Sequence, residues 1–183
     1  TPAYTMYEKD IELTKSIDKV VDRFKVLANG KDKAGEFYRK SFGSMFTYVT
    51  NRIPEISDEL FKIDDAMKAG FGWEHGPYEI WDAVGLRAGI QMIKDLGKEP
   101  ASWVNEMLDA GIESFYTIKD GATYFYHIPQ KKYLKVPGQD SFIILNNLRK
   151  SAEVFKNSGL VVEDLGDGIL NVDFQSKMNS IGG

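Results

Sequence analysis

The chain has 183 residues, 43% of them hydrophobic and 27% charged, enough for one full core or for one domain with a small appendage. A net charge of -4 leaves no electrostatic footprint for nucleic acid, and the densest basic run, Lys131-Lys132, reads as a solvated hairpin turn. With no cysteine, disulfides, zinc thiolates and thiol nucleophiles are excluded, and no apolar run is long enough to span a membrane.

From about Met6 to Asn29, the residues Ile11, Ile17, Val20, Val21, Phe24 and Leu27 recur at three- and four-residue spacing and predict one amphipathic helix stopped by Gly30. Asp32 caps a second helix, with Ala34, Phe37, Tyr38, Phe42, Met45, Phe46 and Val49 on a broad apolar face until Pro54; this is the expected central core helix. Ser57-Asp58-Glu59 sets a cap and two carboxylates at a helix start, and that helix runs to Ala69 with Gly70 at its C-cap position. Pro77 opens a short helix to Val84, Leu86 to Leu96 forms the next, and Pro100 opens another that ends at Gly111.

After Gly111 the period turns from helical to alternating. Ser114 to Ile118 and Ala122 to His127 flank Asp120-Gly121, a strong hairpin signal, and Tyr133 to Val136 supplies a third strand. Ser141 to Lys156 reads as one more helix, stopped at Ser158-Gly159. Leu160 to Phe174 then makes two strands around Gly166-Asp167-Gly168. In the second, Leu170, Val172 and Phe174 alternate with Asn171, Asp173 and Gln175, which calls for one buried face. A lone hairpin cannot bury it, so a sheet is missing. Together with the start at Thr1 and the close on Gly182-Gly183, this suggests a piece of something longer.

The densest information lies between Gly70 and Leu86, where glycines, Pro77, Trp73, Trp81, Glu74, Glu79 and Asp82 crowd one chain reversal. Gly70-x-Gly72-x-x-x-Gly76 is a near miss to a dinucleotide fingerprint. That fingerprint needs a strand entering the first glycine and a helix opening under the pyrophosphate, whereas here a helix precedes Gly70 and Glu74 repels anions. The segment reads instead as a rigid docking corner built by Gly70, Gly72, Trp73, Glu74, Gly76, Pro77, Tyr78, Glu79, Trp81 and Asp82.

Chemistry is sparse elsewhere. His75 beside Glu74 or Glu79 is the one candidate acid–base pair, against the simpler reading of a capping residue; an unrelated enzyme built on His75 is the weakest option. His127 reads as a cross-strand packing residue. Asp64-Asp65, Asp58-Glu59 and Glu163-Asp164 read as solvated helix starts or turns, because adjacent side chains diverge. No triad, nucleophile elbow or phosphate-binding loop is present, so no catalytic, cofactor-binding or metal-ligating residue is assigned.

The run Ile63 to Gly85, with Gly70-Phe71-Gly72-Trp73-Glu74, Gly76-Pro77-Tyr78-Glu79 and Trp81-Asp82-Ala83-Val84-Gly85, resembles the signature of the C-terminal helical domain of 3-hydroxyacyl-CoA dehydrogenases. It is most similar to the second such repeat in dehydrogenases of fatty-acid β-oxidation that are fused to an enoyl-CoA hydratase. Lys31 to Gly35, Pro100 to Val104 and Ser114 to Tyr116 share the resemblance, as does the Tyr-rich insert. Asn157-Ser158-Gly159, Leu165 to Gly168 and Asp173 to Gly182 look like the first hairpin of the crotonase-fold hydratase.

The resemblance implies a mainly α fold: an orthogonal helical domain over residues 1–111, a small aromatic β-hairpin insert over 112–138, a linker helix over 139–158, and the truncated start of a crotonase domain over 159–183. It implies a parent that oxidises (3S)-3-hydroxyacyl-CoA with NAD, the NAD being held by a Rossmann domain absent from this chain, in the cytoplasm. The partners implied are the acyl-CoA substrate and neighbouring Rossmann, helical-repeat and crotonase domains. The family's substrate-contacting Asn-Arg pair is replaced by Arg39-Lys40, as in a degenerate repeat that packs on the first one and lines the acyl-CoA cleft. The competing expectation is a stand-alone helical dimerisation or binding module without enzyme activity.

Overall fold

Hydroxyl side chains break the first predicted helix. Thr14 Oγ1 donates to the Ile11 carbonyl at 2.7 Å and Ser16 Oγ to that of Leu13 at 3.0 Å. Such bonds compete with helix continuation. The computed structural model, which describes residues 8–176, therefore has two helices where one is expected, α1 (Glu8–Lys15) and α2 (Val20–Asn29). The expected start at Met6 lies outside the described residues.

Asp32 caps α3 (Lys33–Asn51) as anticipated, its carboxylate accepting from the Gly35 amide at 2.8 Å. Gly35 is glycine for a steric reason, since a Cβ there would lie 2.1 Å from the Gly30 carbonyl oxygen. Helix α4 (Leu60–Phe71) begins later than Ser57, whose hydroxyl bonds the backbone of Glu59 in a tight turn. It also ends later than expected. Gly70 continues the helix, and Gly72, at φ 66°, takes the left-handed position that closes it. Then follow α5 (Pro77–Val84), α6 (Leu86–Asp95) and α7 (Ser102–Asp109).

The core of this helical unit is aromatic. Trp81, Tyr78, Phe46 and Phe115 are fully buried, Trp81 stacking on Phe46 at 4.4 Å and meeting Phe115 edge-on at 5.1 Å. Each such side chain contributes roughly 1.5–3 kcal/mol by leaving water. Gly89 lets α6 close on this cluster, for a Cβ there would sit 2.0 Å from Trp81 Nε1.

Strands β1 (Tyr116–Lys119), β2 (Ala122–His127) and β3 (Lys132–Lys135) form one sheet in that order. Asp120 and Gly121, at φ 51° and 73°, make the two-residue turn that the Asp-Gly pair predicts. The chain divides into two compact units. One comprises residues up to Thr117 together with Phe125–Leu134, and the other Ile118–Tyr124 together with the residues from Lys135 onward.

In the second unit the helix expected over Ser141 to Lys156 is much shorter, α8 (Leu145–Ala152). Glu153–Lys156 is a strand, β4, because Phe155 and Lys156 pair with Val162 and Val161 of β5 (Leu160–Gly166). Strand pairing there outweighs the helical periodicity of the sequence. Strand β6 (Ile169–Phe174) runs antiparallel to β5, with Leu160 opposite Phe174 and Val162 opposite Val172. One face of this sheet buries Val161 and Glu163. The other exposes Phe155, Leu170, Val172 and Phe174.

Candidate functional site

The glycine corner becomes a hub for two buried carboxylates. Asp64, on α4, accepts from the amides of Tyr78 and Glu79 at 2.9 and 3.1 Å and from the Tyr116 hydroxyl at 2.8 Å. It thereby satisfies the free N–H groups at the start of α5. Asp82, on α5, accepts from the Phe115 and Tyr116 amides at 2.7 and 2.8 Å. Two aspartates thus tie α4, α5 and the start of β1 together. Gly76 is required beside the first of them, since a Cβ would meet Asp64 at 2.3 Å.

Burial pushes both carboxyls up to about 7, against the N–H donors that favour the ionised form. The hydroxyls of Tyr78 and Tyr116 rise as well, first through burial and then through the nearby Asp64 charge. Tyr78 is further fixed by donating to the Val49 carbonyl at 3.0 Å. These groups spend their hydrogen bonds on joining α4, α5 and the start of β1.

Glu79 is equally committed. Its Oε2 accepts from the Gly76 amide and its Oε1 pairs with Lys68 Nζ, both at 2.8 Å. His75 lies 3.7 Å from Glu79 and from Glu74, too far for a hydrogen bond to either. It instead meets the Phe24 ring edge-on at 6.3 Å. The proposed acid–base pair is therefore not assembled. His127 packs edge-on against Phe125, and its Nδ1 accepts from the Gln130 amide at 3.2 Å.

The corner residues divide in two. Pro77, Tyr78 and Trp81 turn into the chain's own core, whereas Trp73, at 39% exposed, and Glu74 face outward beside the exposed Phe71. The Phe46, Trp103 and Phe115 rings of the chain itself receive Tyr78 and Trp81. Arg39 donates to the Ala28 carbonyl at 3.2 Å and also to that of Gly30, clamping the end of α2. Its neighbour Lys40 pairs with Glu36 at 2.6 Å on the exposed helix face.

Sequence reasoning missed Asp64 and Glu163, both read as solvated members of acidic pairs. Each is fully buried. Glu163 accepts from Asn171 at 2.8 Å and stands 3.5 Å from Arg149, which also pairs with Asp173. The usable signal was the alternation of β5, which puts Val161 and Glu163 on one face.

Among the described residues no cluster of metal-ligating side chains occurs, and no helix is long and apolar enough to cross a membrane. The corner does not fit NAD. Helix α4 rather than a strand enters the glycines, and the amides at the head of α5 are already taken by Asp64. One apolar groove opens between α2, α3 and the Trp73–His75 turn, with a volume of about 480 Å³.

Residues 57–120 match the family described as 3-hydroxyacyl-CoA dehydrogenase, C-terminal domain. The chain is 38% identical over 173 residues, 94% of its length, to a Bacillus subtilis (strain 168) protein called "Probable 3-hydroxyacyl-CoA dehydrogenase". A "Putative fatty acid oxidation complex trifunctional enzyme" of Rickettsia prowazekii is 30% identical over 46 residues, a quarter of this chain (25%). The chain spans 22% of the length of the first relative and the match covers 6% of the second. No solved structure matches. The architecture is thus mainly α, of the 3-hydroxyacyl-CoA dehydrogenase C-terminal type over the matched helices, and each of the two expected hairpins is extended by one strand into a small three-stranded sheet.

Proposed function

We propose that this chain is a non-catalytic segment of a fatty-acid β-oxidation enzyme that oxidises (3S)-3-hydroxyacyl-CoA to the 3-oxo thioester. The observation that carries it is the 38% identity to the Bacillus dehydrogenase along 94% of the chain. NAD, which accepts the hydride in such a reaction, is held by a Rossmann domain outside this segment. The corner residues Gly70, Gly72, Trp73, Glu74, Gly76, Pro77, Tyr78, Glu79, Trp81 and Asp82 act as a structural hinge-stop. Gly76, Tyr78, Glu79, Trp81 and Asp82 hold α4 and α5 rigid so that the outward side of the unit, with Trp73 and Glu74, can pack on a neighbouring helical repeat and wall the acyl-CoA cleft.

The exposed apolar face of β4–β6 supports a further part of the reading, in which residues 159–183 begin a crotonase-type hydratase domain whose later strands cover Leu170, Val172 and Phe174. The motif residues Lys177 to Gly182 lie outside the described residues. Residues 1–111 then form the helical domain, 112–138 its insert and 139–158 the connection. The parent works in the cytoplasm, in keeping with the cysteine-free composition.

The test is an assay of the 183-residue chain beside the longer protein with acetoacetyl-CoA and NADH. Turnover by the longer protein alone is expected; turnover by the chain itself would refute the division of labour. A stable homodimer that shields Trp73 would instead favour the stand-alone binding module.

A further inference from the structure

We propose that the groove between α2, α3 and the Trp73–His75 turn binds a small organic cation, an alkyl chain that ends in a quaternary ammonium group. Its volume of about 480 Å³ lies within the range of small-ligand clefts, about 300–1,000 Å³. Its walls are aromatic. Phe37, Tyr38, Phe42, Phe24 and His75 follow one another at ring separations of 5.5, 5.8, 5.9 and 6.3 Å, and Trp73 stands with them on the lining. Neighbours in this run meet edge-on or tilted, so stacking does not use up their faces, and Phe37 and Trp73 remain 63% and 39% exposed. An alkyl chain laid in such a cleft takes its own surface and that of the rings out of water.

Charge selects the head group. Among the described residues that line the groove there is no lysine or arginine, and the carboxylate is that of Glu74. Its side chain is 68% exposed and stands 3.7 Å from His75 Nε2, beyond hydrogen-bond reach. Glu79 does not share this role, because Lys68 and the Gly76 amide hold both its oxygens. A lone carboxylate at the mouth repels fatty acids and phosphate esters alike and attracts a cation. The ring faces add to that attraction through their negative quadrupole, which acts best on a weakly hydrated ion. A quaternary ammonium also brings no N–H group that would lie unpaired against carbon walls, as a primary ammonium would.

Trp73 makes binding measurable, since it lines the groove while Trp81 is sealed in the core. The 183-residue chain is the protein to use, because a helical repeat packed on Trp73 in the longer protein would cover the same groove. It is titrated with octyltrimethylammonium below the micelle concentration while tryptophan emission is followed, with 1-octanol and octanoate as controls and Trp73→Phe to assign the signal. A saturable Trp73 shift is expected with the ammonium, about tenfold tighter than with the alcohol and absent with octanoate. Added salt should weaken the ammonium and leave the alcohol unchanged. Glu74→Gln, at an exposed side chain, should cost the ammonium about threefold in affinity and the alcohol nothing, whereas Phe37→Ala should weaken both. Circular dichroism shows that each variant keeps the fold. No shift, binding of octanol or octanoate as tight as that of the ammonium, or an ammonium affinity unaltered by Glu74→Gln overturns the proposal. So does a Trp73 shift that follows protein concentration alone, which would mean that a second copy fills the groove. Binding here is independent of the dehydrogenase turnover of the longer protein, so the two readings fail separately.

Discussion

Asp64 receives three hydrogen bonds in a site closed to water, and its loss would orphan two amides and a phenol at once. Asp64→Ala is expected to destabilise the chain by about 3 kcal/mol in urea unfolding, the cost of leaving several buried donors unmet. Asp64→Asn should cost less, because an amide oxygen still accepts, but it changes the pH response. Asp64 and Asp82 titrate at about 7 in the folded state against 3.8 in the free side chain. Between those values the folded chain holds more protons than the unfolded one, so stability falls as pH rises from about 4 to about 7 and levels off above. Melting temperatures across that window should show the decline, and Asp64→Asn should make it shallower while Asp82 keeps the remainder. Gly89→Ala belongs to the same scale: its methyl would press on Trp81, and a loss of about 2–3 kcal/mol with altered near-ultraviolet dichroism is expected.

Elements were legible in the sequence where a local signal and the packing agree. Asp32 before an apolar helical face, Pro77 at a helix start and Asp120-Gly121 between aromatic runs each mark a boundary that the fold keeps. They were illegible where the deciding partner is distant. Nothing near Glu153 announces that β5 will recruit Glu153–Lys156 into a sheet, and nothing beside Asp65 distinguishes buried Asp64 from its exposed neighbour. The candidate site followed the same rule. The corner was visible from its composition, yet which of its side chains point outward depends on Phe46 and Phe115, far away in the chain. Helix α8 and its sheet offer a test at this scale. Arg149 is the cation facing buried Glu163 and also binds Asp173, so Arg149→Ala leaves a buried carboxylate without its countercharge. Amide exchange in β5 and β6 should accelerate, while amides of α5 and α6 keep their protection.

At the level of the whole molecule the two units have opposite surface economies. The helical unit folds its largest aromatics, Tyr78, Trp81 and Phe115, against one another and needs nothing from outside to do so. The three-stranded sheet of the second unit covers one face with α8 and leaves Phe155, Leu170, Val172 and Phe174 in water on the other, at 53%, 59%, 48% and 37% exposure. Among the described residues no strand pairs with the far edge of β6, where the sheet order ends. An exposed apolar face with an open edge is a template for association. The chain by itself should therefore associate with increasing concentration, which sedimentation velocity would register as a rising weight-average mass. Leu170→Lys with Val172→Lys should return it to monomer without loss of helix signal, because both side chains are solvent-facing. In a longer protein that covers this face, the same pair of lysines should instead weaken the fold, lowering its melting temperature. Monomeric behaviour of the unmodified chain at high concentration would show that the face is tolerated in water and remove the argument that further strands cover it.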